Sequence, residues 1–84
     1  MAKAITSKQV DMAVFTESVC LAIVAMLEGG NSESAKHLAV YFMATNKVSA
    51  AISLRLATGD YIGAHALASS DANAANRAFS EQYR

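Results

Sequence analysis

Cys20, His37 and His65 are the side chains of this sequence best suited to ligate a metal or to act as nucleophile and base. Such chemistry needs several groups converging on one point, and these three stand far apart. No C-x-x-C, H-x-x-x-H or H-E-x-x-H pattern joins them. Cys20 lies inside V-C-L-A-I-V-A-M-L (Val19 to Leu27), where a cysteine behaves as a small hydrophobe and burial keeps its thiol protonated. His37 falls in the first turns of a helix as a solvated side chain, and His65 sits between Ala64 and Ala66 as a packing residue. The acids are spread singly from Asp11 to Glu81, with no close pair suited to general acid/base work. Gly29-Gly30 precedes a helix start but lacks the frame of a phosphate-binding loop. The residues therefore give no catalytic site, metal site, cofactor or small-molecule substrate, and the expectation is a protein that is not an enzyme.

Composition narrows the alternatives. Seven basic and seven acidic residues cancel in a chain of 84, whereas nucleic-acid binding modules carry a clear basic excess. Hydrophobic residues make up 54% of the chain and charged residues 17%, so little charge is available to solvate its surface. A single domain over residues 1–84 is expected, and a domain this small buries only ~60% of its unfolded surface. One cysteine allows no internal disulfide and fits a reduced, cytoplasmic setting. Lys3 and Lys8 before an apolar stretch have the outline of a signal peptide, but Asp11 and Glu17 interrupt it. The nine-residue apolar run is shorter than the ~20 residues a bilayer requires, and Thr16, Glu17 and Ser18 precede it. No membrane partner is expected.

The elements that carry these residues are all helical, as the absence of proline and the abundance of alanine suggest. Thr6 followed by Gln9 has the spacing of a capping box, and Gly29-Gly30 is a stop, giving a long first helix over 7–28. Asn31-Ser32-Glu33 caps a second helix whose core stripe is Ala35, Leu38, Ala39, Phe42 and Met43. That stripe fails near Thr45-Asn46-Lys47. A third helix from Val48 to about Thr58 uses Val48, Ala51, Ile52 and Leu56, and Gly59 closes it. Asp60 caps a short fourth helix through Ala68, and Ser69-Ser70-Asp71 has the composition of a further cap before a last helix ending near Gln82. The fold expected is all-α: a compact bundle of four to five helices with one long N-terminal helix, oligomeric in solution. The alanine- and asparagine-rich last helix is expected to be the weakest packed.

At ~100° per residue, the first helix divides into two apolar stripes. Met12, Phe15, Val19, Ile23, Met26 and Leu27 gather on one side, with Cys20 nearby, as the expected core. Val10, Val14, Glu17, Leu21 and Val24 alternate by four and three on the other, the spacing of a helix–helix seam. With Tyr41 of the second helix they form the expected protein interface. One face can pack on the rest of the chain. The other needs a cover, from another copy or from a larger protein.

Two stretches resemble known motifs. A-K-H-L-A-V-Y-F-M-A-T-N-K-V-S-A-A-I-S-L-R-L-A-T-G (Ala35 to Gly59) resembles a helix-turn-helix DNA reader, with about four extra residues between L-A and V-S. This resemblance implies a dimeric DNA-binding regulator with Val48 to Leu56 as its reading helix. L-A-T-G-D-Y-I-G-A (Leu56 to Ala64) is similar to the turn between the two helices of a tetratricopeptide repeat and implies a helical hairpin there. The neutral charge favours another function: a non-enzymatic protein-binding module, either a homodimer or a regulator or inhibitor docking on a larger protein.

Overall fold

A computed structural model describes residues 4–83, so Lys3 lies outside the described residues. Four helices are present among them: α1 (Ser7–Glu28), α2 (Ser32–Thr45), α3 (Ala50–Ala57) and α4 (Tyr61–Gln82). Side chains and glycines set most of the boundaries. At the start of α1 the capping box forms in full: the Gln9 N–H donates to Thr6 Oγ1 (3.2 Å), and the Thr6 N–H donates to Gln9 Oε1 (2.8 Å). Ser49 caps α3 by accepting the Ile52 N–H, and Asp60 caps α4 by accepting the Gly63 N–H. Asn31, the expected cap of α2, occupies that position without a side-chain bond.

The two glycine turns share one device. Beyond α1 the Gly30 N–H donates to the Leu27 carbonyl and the Asn31 N–H to the Met26 carbonyl; beyond α3 Gly59 and Asp60 donate in the same way to Leu56 and Arg55. These paired bonds form a Schellman motif, which requires left-handed backbone just past the helix. Gly30 (φ 80°) and Gly59 (φ 84°) supply it. At the hairpin implied by the tetratricopeptide resemblance, Gly59 turns the chain, Asp60 caps α4 and Ala64 is buried.

The expected fourth and fifth helices are one continuous α4 of 22 residues. Ser69, Ser70 and Asp71 each cost at most ~0.7 kcal/mol inside a helix. Breaking there would disrupt a stripe at Ala64, Ala68 and Ala72, each no more than 1% exposed. Packing outweighs propensity. The alanines let α4 approach α1 closely, and this pair makes the most extensive helix contact of the fold. The Gln82 side chain fastens its far end, accepting the Ile5 N–H (2.9 Å) and donating to the Ile5 carbonyl (2.7 Å). Helices α1 and α4 are therefore antiparallel. Past Ala72 no described residue of α4 is buried, so its last turns are thinly packed, as their alanine and asparagine content suggests, and the Gln82–Ile5 bonds tie down the end.

Helix α2 packs on α1, and α3 bridges α2 and α4. Among the described residues every buried hydrophobic one lies between Cys20 and Ala72, with Ile23, Phe42, Ile52 and Leu56 as the largest members. The first turns of α1 and the last turns of α4 thus form a two-helix arm without a core of its own. The molecule measures 44 × 21 × 16 Å, with a radius of gyration of 13.7 Å against ~11.8 Å for a compact chain of this length.

A pair of glycine variants tests the turn. Gly30→Ala should cost roughly 1 kcal/mol by urea unfolding, because the left-handed conformation is penalised for alanine. Gly29→Ala, at φ −78° with room for a Cβ, should be neutral within ~0.5 kcal/mol.

Candidate protein-interaction face

Helix α1 is apolar around its whole circumference, and its neighbours cover about half of it. Helix α2 has 14 residues against 22 in α1. It ends beside Phe15, whose ring meets Phe42 edge-on with centroids 5.8 Å apart. Cys20 and Ile23 are fully buried, and Val19, Met26 and Leu27 pack against the core. Phe15 and Met12, placed in the core by periodicity, are instead 54% and 41% exposed. A helical wheel gives direction only. It carries no information on how far the neighbouring helix reaches.

The proposed seam divides in the same way. Val10, Glu17 and Val24 are half-buried, whereas Val14 and Leu21 are 38% and 53% exposed. Tyr41, on α2, is exposed as well. The outward face of α1 therefore runs through Val14, Phe15, Ser18, Leu21, Ala22 and Ala25, all exposed. Asp11 and Glu28 mark its ends, and no charged side chain lies between them on that face. At ~1.5 Å per residue this uncharged strip is about 16 Å long. Phe15, Ser18, Ala22 and Ala25 were not singled out for it in the sequence. The small residues gave no apolar signal, and Phe15 carried the periodicity of the core.

Ser18 does not make the strip polar. Its hydroxyl donates to the Val14 carbonyl at 3.0 Å, so burying it would strand no donor. Taken whole, α1 is also long and apolar enough to cross a membrane, with a mean hydropathy of 1.9 over an 18-residue window. The nine-residue run considered alone had not shown this. Only 17% of that window is buried, far less than a core helix would show.

The remaining chemistry lies elsewhere. Burial pushes the Cys20 thiol pKa up, so it is a poor nucleophile. Among the described residues no group of three His, Cys, Asp or Glu side chains comes together. On the proposed DNA-reading helix, Ile52 and Leu56 are buried and Leu54 is 65% exposed. Its one arginine, Arg55, is held by Asp60, with Nη1 2.7 Å from Oδ2. The Gly63 N–H and the Arg55 guanidinium together hold the Asp60 carboxyl below its ordinary pKa. Comparison with protein-family models, curated proteins and solved structures finds no match for this chain.

Asp60 predicts a pH dependence. Its folded pKa is depressed, so its contribution to stability is present above the ordinary carboxylate value of ~4 and is lost as pH falls below it. Thermal melts should show the wild type losing more stability than Asp60→Asn between pH 5 and pH 2. Asparagine keeps a capping side chain but has no charge to lose.

Proposed function

We propose that this chain is a non-enzymatic protein-binding module that docks through the outward face of α1. One observation carries the reading: the long apolar helix α1 leaves Val14, Phe15 and Leu21 at 38%, 54% and 53% exposure on a strip free of charge. Contiguous exposed apolar surface of this kind marks interaction sites. Phe15 and Leu21 have the size to act as anchors, and Tyr41 can couple apolar area to one polar group.

The surroundings of α1 favour a protein over a bilayer as its cover. Crossing a membrane would carry Asp11 and Glu17 into hydrocarbon, at about 2.5–3.5 kcal/mol for an acid near the helix centre. Helix α4 runs antiparallel beside α1 and presents exposed Asp71, Arg77 and Glu81. It would have to enter as well, or give up the alanine packing that joins the two helices. A protein partner requires neither.

The test is the double variant Val14→Lys, Leu21→Lys. Both sites are exposed, so helicity by circular dichroism and stability should stay within about 0.5 kcal/mol of wild type per site. Association of the wild type, with itself or with a larger protein in a host lysate, should be abolished. Loss of the fold would place these residues in the core, and association unchanged by two lysines would refute the face.

A further inference from the structure

We infer that the occupant of the α1 face is a second copy of this chain, paired antiparallel about a two-fold axis near Ser18; this rests on the docking face proposed above. The first argument is area. The chain exposes 5649 Å², while a folded monomer of 8.8 kDa should expose only about 4,800 Å². The excess of roughly 850 Å² is what one partner contributes to an interface of standard size. The arm of α1 and α4, where no described residue is buried, is the part of the fold with helices still to cover. A second copy would supply the missing helices and convert each two-helix arm into half of a four-helix bundle.

The second argument is self-complementarity, which a two-fold interface demands because the same patch must fit itself. The largest side chain of the face, Phe15, precedes Ser18, and its smallest, Ala22 and Ala25, follow it. On the helical wheel Phe15 and Ala22 occupy one edge of the strip, and Val14 and Leu21 occupy the other. In an antiparallel pair like edges meet. A two-fold axis at Ser18 then seats Phe15 over Ala22 of the second copy and Val14 beside Leu21 of the second copy. Ser18 faces its own counterpart, small enough for close approach and with its hydroxyl already bonded to Val14. Asp11 and Glu28 fall toward the rim, where charge is tolerated. A parallel pair would instead bring unlike edges together, setting Phe15 against Val14 of the second copy and leaving the small Ala22 beside Leu21 rather than under the large ring.

Disulfide trapping tests this directly. Cys20 is fully buried and contributes no background. A Ser18→Cys variant at about 10 μM should form a self-disulfide on mild oxidation. Its rate should exceed that of Ser70→Cys, exposed on α4, by ~100-fold, the ratio of the millimolar effective concentration inside a dimer to the bulk concentration. In the Ser18→Cys background, adding Ala22→Phe should block trapping by filling the recess for Phe15. Adding Phe15→Ala as well should restore it, because knob and recess have exchanged places. Equal trapping rates for the two cysteines would overturn the dimer, and blocked trapping without rescue would overturn the antiparallel arrangement. If trapping fails while a complex with a different protein is lost in the Leu21→Lys variant, the dimer falls and the docking face stands. Co-flotation with neutral phosphatidylcholine vesicles that depends on Leu21 would overturn both.

Discussion

The fold is governed by a shortage of cover for α1. A 22-residue rod apolar on all sides must be shielded by one helix of 14 residues and one lined with alanine. Alanine gives close approach at little width, so α4 shields a narrow band of α1 along its length. Helix α2 covers a second band and stops at Phe15. Everything else in the structure accommodates this arithmetic. Helix α3 spans from α2 to α4 and closes the core over Ile52 and Leu56. The far ends of α1 and α4 are left to each other, tied by the Gln82 side chain to the backbone of Ile5.

The functional reading follows from the same shortage. A chain with few charges has few means of solvating the uncovered side of α1, and apolar area exposed to water favours association by ~25 cal/mol per Å² before the entropic costs of binding. Evolution of a soluble monomer would place lysine or glutamate on that side. Here Val14, Phe15, Leu21, Ala22 and Ala25 stand there instead, interrupted only by a serine whose hydroxyl is internally satisfied. Among the described residues no three His, Cys, Asp or Glu side chains come together.

Much of the local structure was legible in the residues because local physics decides it. Thr6 with Gln9, the left-handed glycines and Asp60 mark helix ends through bonds made within a few residues. The core stripe of α2 is also visible, since Ala35, Ala39 and Phe42 are buried and Leu38 and Met43 pack beside them. Long-range facts were not legible. The Ser69-Ser70-Asp71 segment has the composition of a cap, and only the burial of Ala68 and Ala72 on either side holds the helix through it. The exposure of Met12 and Phe15 depends on where α2 ends in space. For the same reason the face that spacing gives, Val10, Val14, Glu17, Leu21 and Val24 with Tyr41 of α2, does not coincide with the exposed side of α1. In three dimensions it is shifted around the helix, keeping Val14 and Leu21 and adding Phe15, Ser18, Ala22 and Ala25.

The central claim is that the outward side of α1 is covered in solution by a copy of itself. Sedimentation equilibrium of the unmodified chain, over a concentration series from low to high micromolar, measures this without any substitution. The account predicts a mass that rises to twice the 8.8 kDa of one chain and stays there. A mass of one chain across the whole series would contradict it.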